Sequence, residues 1–188
     1  MNAEENALNP PRAELISLIG YRGCGKTSVG RLLAERLRWL FVDTDERIES
    51  EAGRTVAEIF AADGERMFRQ REAEVVEAAM SGRQRVISVG GGAVLVRRNR
   101  KALRNAGACI WLTASAEELY RRIAADEKSA ERRPSLTALP GPEEVESVLQ
   151  ARLPVYEATA DYVISTMGRS IEEIVDEIFS RLGLNTSE

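Results

Sequence analysis

Apolar residues recur along the chain in two rhythms. Residues 14–19 form a short run rich in branched side chains and followed by a glycine, which predicts a buried parallel strand. Residues 27–38 place Val29, Leu32, Leu33 and Leu37 at helical spacing, and 39–42 predict a second strand. Residues 46–51 and 56–61 read as short helical pieces parted by Gly53. Residues 65–80 read as an amphipathic helix with Met67, Phe68, Val75, Val76 and Ala79 as its apolar set. A third strand at 85–89 closes on Gly90-Gly91-Gly92, a basic helix follows at 95–105, and a fourth strand at 108–112. Ser115 caps a helix that runs to about Ala125. Residues 126–139 break the rhythm, being charged and then interrupted by proline. Pro142 opens a helix to about Ala158 that Pro154 is expected to kink or split. A last strand at 162–165 and a helix at 171–182 close the pattern. Five strands alternating with helices predict an α/β fold, a three-layer α/β/α sandwich around a five-stranded parallel sheet.

The chain has 188 residues, enough for one domain, which we bound at 14–183 between a disordered lead at 1–13 and a disordered tail at 184–188. It holds two cysteines and no histidine. That excludes Ser-His-Asp and Cys-His triads, histidine-ligated zinc and a disulfide framework. The balance of 26 basic and 30 acidic residues, a net charge of −4, argues against a general nucleic-acid binder. No apolar run reaches the roughly 20 residues of a membrane span, and the polar start lacks the apolar core of a secretory signal. We therefore expect a cytoplasmic protein with no membrane or nucleic-acid partner. Its chemistry must rest on carboxylates, lysine, arginine, hydroxyls, backbone amides or a hard metal.

Residues 20–27, GYRGCGKT, fit G-x-x-x-x-G-K-[ST] in full, with a predicted strand before and a helix after. The glycines, Gly23 and Gly25 among them, let backbone N–H groups of the loop through Ser28 wrap phosphates, and the helix start adds its dipole. Lys26 is suited to reach the β- and γ-phosphates of ATP, and the Thr27 hydroxyl to ligate Mg²⁺. Cys24, in the same loop, is either a thiol activated at a helix start or a small side chain that packs. Asp43 and Asp45 follow the second strand, where ligands collect in open parallel sheets. They read either as Mg²⁺ and hydroxyl ligands or, for one of them, as a helix cap. The triple glycine is by itself either a close-approach site or a flexible turn. Arg69 and Glu72 stand three apart on one helix, where the acid can hold the guanidinium. Arg152 precedes Leu153-Pro154, and Arg132 and Arg133 precede Pro134. The run Arg97, Arg98, Arg100, Lys101 and Arg104 reads as a solvated face.

Taken together these motifs resemble shikimate kinase, among the P-loop small-molecule kinases that include gluconate and nucleoside monophosphate kinases. The likeness spans about 15–182 and is carried by GYRGCGKTSVGRLLA, FVDTDERIE, GRTVAEIFAADGERMFRQREAE, VISVGGGAV, ERRPSL and ARLPVYEATADYVI. It implies ATP-dependent phosphorylation of the shikimate 3-hydroxyl, serving aromatic amino acid biosynthesis, on a sheet of order 2-3-1-4-5 in a monomer. Lys26 and Thr27 would serve ATP and Mg²⁺, and Asp43 would be a water-mediated Mg²⁺ partner. Asp45 would bind the ring hydroxyls. Arg69, held by Glu72, and Arg152 would clamp the carboxylate. Gly91 and Gly92 would approach with backbone amides, and Phe60 would form an apolar wall. A mobile lid over about 126–139 would bring Arg133, or its neighbour Arg132, between substrate and γ-phosphate. Arg122 and Arg169 would flank the adenine. That segment looks longer than in the common bacterial form, and RRPSL stands where the family often has RPLL. Gluconate or a nucleoside monophosphate as the acceptor, or a kinase-like binding protein without turnover, are the alternatives.

Overall fold

The computed structural model describes residues 14–126 and 141–184. The strands are β1 (Leu15–Ile19), β2 (Leu40–Asp43), β3 (Arg85–Ser88), β4 (Ala108–Thr113) and β5 (Tyr162–Ser165). They pair in parallel in the order β2-β3-β1-β4-β5, as expected. Around them lie α1 (Lys26–Leu37), α2 (Thr44–Ala52), α3 (Val56–Met80), α4 (Arg97–Ala106), α5 (Ala116–Ala125), α6 (Gly141–Glu157) and α7 (Ile171–Leu182). No helix among the described residues is long and apolar enough to cross a membrane.

Alternation along β1 explains the three layers. Ile16 and Leu18 point to one side, where they pack with Val29 and Leu33 of α1 and Ile174, Ile178 and Phe179 of α7. Leu15 and Ile19 point to the other, against Val76, Ala79 and Met80 of α3 and Leu103 of α4. A parallel sheet covered on both faces needs apolar residues at nearly every position, and all five of β1 are buried. Ile48, Val56, Ile59, Phe68 and Val75 make a smaller cluster between α2 and α3.

Several expectations are corrected. The second strand begins at Leu40, not Trp39, because Trp39 belongs to the stop of α1. Arg38 adopts the left-handed conformation at φ 55°, and the Trp39 N–H bonds Ala34 O at 2.9 Å. The two helical pieces expected at 56–61 and 65–80 are both present and run on from one another as α3, parted by a kink at Gly64 (φ 78°, ψ 165°). Met67 is exposed rather than part of the apolar set. The buried stripe runs Phe68, Glu72, Val75, Val76, Ala79, one helical turn apart, and Met67 lies beside it. Pro154 does not split α6, which continues to Glu157. Its neighbours Leu149, Arg152 and Tyr156 are all buried, so tertiary packing holds the turn whose hydrogen bond proline removes. In the basic helix Arg97, Arg98, Lys101 and Arg104 are exposed, whereas Arg100 turns back to donate to the carbonyls of Val94 and Leu95.

Candidate active site

β2, β3 and β1 end at one level, with Leu18 and Asp43 both in register with Ser88. The three turns that follow them meet above the sheet, as ligand-binding turns do at the carboxyl ends of parallel strands.

The turn after β1 is the phosphate-type loop. Gly20 leads it at φ 139°, and a Cβ there would stand 2.3 Å from Leu112 O and 2.8 Å from Cys24 Sγ, so only glycine fits. Lys26 is buried, and its ammonium donates to the carbonyls of Gly20 (2.9 Å) and Tyr21 (3.0 Å) across the loop. Lys26 opens α1, whose first N–H groups have no carbonyl partner in the preceding turn and remain available to an anion. Cys24 is fully buried beneath the loop, which supports its reading as a packed small side chain. Cys109 is buried in the sheet, and burial pushes its thiol up to about 12.

The turn after β2 carries Asp43, Thr44 and Asp45. Asp43 does two jobs that the sequence left as alternatives. One oxygen caps α2, accepting from the N–H groups of Asp45 (3.0 Å) and Glu46 (3.4 Å). The other accepts the Thr27 hydroxyl at 2.8 Å. Thr44, fully buried, accepts the Gly90 N–H at 3.0 Å and ties this turn to the triple glycine.

Close packing accounts for the triple glycine. A Cβ on Gly90 would stand 2.5 Å from Asp45 Oδ1 and 3.2 Å from Glu72 Oε1. One on Gly92 would stand 2.7 Å from both terminal nitrogens of Arg69. Arg69 donates to Glu72 at 2.8 Å and also pairs with Glu65 at 3.3 Å. Its guanidinium lies over Phe60 and Phe68, whose rings pack 4.4 Å apart. Glu72 is buried, and burial outweighs the adjacent guanidinium, raising its carboxyl to about 7. From α6, Arg152 reaches Gly91 O at 3.3 Å and lies over the Tyr21 ring.

Two adjoining cavities result. The smaller is lined by Arg69, Arg152, Arg22, Asp45, Glu72, Phe60 and the three glycines. The larger is lined by Gly23 through Ser28, Asp43, Arg122 and Arg169. Arg122 donates to Thr166 Oγ1 and the Thr166 carbonyl, both at 3.0 Å, and to Gly23 O at 3.4 Å. Arg169 is held by Glu177, Ser165 O and Glu173 O. The site residues expected from sequence therefore gather in two connected cavities, with the exception of Arg133. That residue, Arg132 and the lid expected beyond Asp126 lie outside the described residues.

Sequence reasoning missed four participants: Arg22, Thr44, Glu144 and Tyr156. Arg22 pairs with Glu144 of α6 at 2.9 Å. Tyr156 is buried, stacks on Trp111 and donates to Gly91 O at 2.7 Å. A signal existed for Tyr156, which stands four residues after Arg152 and so on the same helix face. Thr44 sat in view between the two aspartates.

A family profile described as shikimate kinase matches residues 22–183. A shikimate kinase of Symbiobacterium thermophilum is 50% identical over 167 residues, covering 89% of this chain and 95% of that protein. One of Rhodopirellula baltica is 44% identical, covering 86% of each. The solved shikimate kinase of Acinetobacter baumannii in complex with shikimate superposes with a TM-score of 0.84 at 33% identity, covering 89% of this chain and 92% of that one.

Proposed function

The chain belongs to the shikimate kinase family, and we propose that it transfers the γ-phosphoryl group of ATP to the 3-hydroxyl of shikimate in its two adjoining cavities. The observation that carries the division of labour is the lining: paired arginines and a triple glycine in one cavity, the phosphate loop in the other, and Asp45 in both.

Shikimate occupies the smaller cavity. Arg69 and Arg152 hold its carboxylate, a task the planar guanidinium does better than lysine. Glu72 fixes Arg69, and Phe60 with Phe68 supplies the apolar wall. Gly91 and Gly92 let the ring approach the backbone. Asp45 accepts a hydrogen bond from the ring hydroxyls and orients the attacking oxygen. ATP lies along the loop from Gly23 to Ser28, its base flanked by Arg122 and Arg169.

In the transfer, the shikimate oxygen forms a bond to the γ-phosphorus as the bond from that phosphorus to the β,γ-bridging oxygen breaks. The bond's electron pair leaves with ADP, and the hydroxyl proton passes to Asp45. A loose transition state asks chiefly for positioning and charge neutralisation, which Lys26 supplies from the loop. Histidine is not needed.

The donor set fits Mg²⁺: the Thr27 hydroxyl and the Asp43 carboxylate are hard oxygens converging at the loop. Thr27 would bind it directly and Asp43 through water. When bound, the ion neutralises charge between the β- and γ-phosphates. Action as a monomer belongs to the same proposal, and two buried free cysteines support a cytoplasmic setting.

The test is ADP release with shikimate, gluconate and a nucleoside monophosphate as separate acceptors. Release that depends on shikimate alone is expected. Release with another acceptor, or with none, sinks the assignment.

A further inference from the structure

Arg22 occupies a variable position of the phosphate loop, and its consensus assigns that position no role. Yet Arg22 lines both cavities, a property it shares with Asp45 and Val56 among the described residues. Its guanidinium is anchored on one side. Nη2 donates to Glu144 Oε1 at 2.9 Å, and the Glu144 side chain is only 4% exposed. Nε is buried and has no hydrogen-bond partner among the described residues, while the side chain as a whole keeps 15% of its surface exposed. An arginine on the phosphate loop, its guanidinium fixed by a buried carboxylate and the residue lining both an ATP cavity and an acceptor cavity, is suited to an oxyanion that is present only during reaction.

We propose that Arg22 is a further catalytic residue, held by Glu144 so that its guanidinium meets the transferring phosphoryl group where the two cavities join. This rests on the shikimate kinase reading of the two cavities. The charge spread over the equatorial oxygens of the phosphoryl group is what a planar cation neutralises. Arg22 is part of the loop that cradles the phosphates, so it is in position whenever ATP is bound. Atoms and electrons move as in the transfer already described, with Arg22 keeping its proton throughout.

The experiment uses the full chain and two variants, Arg22→Ala and the double variant Arg22→Ala, Glu144→Gln. The second removes the guanidinium together with the charge of the carboxylate that anchors it, which guards against misfolding. The expected result is a fall in kcat of about a hundredfold or more, as for loss of one transition-state donor, with KM for shikimate and for ATP little changed. Guanidinium chloride below its denaturing range should restore part of the lost rate in the double variant and none in the parent. A double variant with the parent's kcat overturns the proposal, as does a loss confined to KM or one that guanidinium fails to reduce. Arg22 is then a tie between the loop and α6. If the parent itself releases no ADP in response to shikimate, the assigned activity fails and this role falls with it.

Discussion

Tyr156 donates its hydroxyl to the carbonyl oxygen of Gly91 at 2.7 Å, and Arg152, one turn earlier on α6, donates to the same oxygen at 3.3 Å. One turn of helix thus presents the arginine proposed to hold the substrate carboxylate and pins the glycine turn opposite it. Burial raises the Tyr156 phenol well above its usual value, so it remains a donor at any physiological pH. Tyr156→Phe deletes that bond while keeping the stack on Trp111. We expect a loss of about 1 kcal/mol, the net value of one hydrogen bond, read as a fall in Tm of about 2–4 °C. KM for shikimate should rise while KM for ATP holds. An unchanged Tm and KM together would show that Arg152 alone fixes the turn.

Gly92→Ala separates backbone strain from crowding. Gly92 has φ −94°, which alanine adopts freely, but the new Cβ would press on the guanidinium of Arg69. The arginine end is flexible and can retreat, so the fold should persist. Displacing a clamp by about an ångström costs on the order of a hundredfold at most in kcat/KM. Steady-state kinetics beside a thermal melt checks this: a normal kcat/KM for shikimate would remove Arg69 from the carboxylate clamp.

Asp45→Asn keeps the shape of the side chain and deletes its charge. Orientation of the hydroxyl weakens and late proton acceptance is lost, so kcat should fall by about a hundredfold or more. A variant with near-normal turnover of shikimate would sink both roles of Asp45.

Glu72→Gln tests the buried acid. The carboxyl rises from an ordinary 4.5 to about 7 in the folded chain, first because it is desolvated, against the lowering effect of Arg69. A raised carboxyl pKa means that the folded state holds the proton more tightly than the unfolded state. Its contribution is therefore complete below pH 4.5 and is lost as pH climbs to about 7. The loss is on the order of 3 kcal/mol for a shift of this size. Urea unfolding of parent and variant across that window should give a steeper decline for the parent. Glu118, lowered to about 2 by its bonds to Arg121 and Arg122, acts in a separate acid window and with the opposite sign. Parallel profiles would contradict the burial account.

Legibility in the sequence followed the length scale of each interaction. The phosphate loop, the strand before it and the helix after it were readable because one local stretch must supply glycines, lysine and threonine at fixed spacing. The Arg69–Glu72 pair was readable because three residues on a helix bring side chains together. Arg22 and Glu144 were not, since 122 residues separate them and nothing local marks the contact. The same holds for Thr44 and Gly90, 46 apart. The double use of Asp43 was half-visible: a cap is a local event, whereas acceptance from Thr27 requires β1 and β2 to be brought side by side through β3. Met67 misled because its neighbours carry the apolar period, and the stripe includes an ionisable residue, Glu72, that no hydropathy pattern would place inside.

The register of β1, β3 and β2 has a consequence for inhibition. Because Leu18, Ser88 and Asp43 stand abreast, the phosphate loop and the triple-glycine turn rise from adjacent strands, about 4.8 Å apart. A single compound with a ring carboxylate at one end and a phosphate mimic at the other can engage both turns through a tether of a few atoms. Its second anchoring becomes an intramolecular event, so its potency would exceed that of either half by more than new contacts supply.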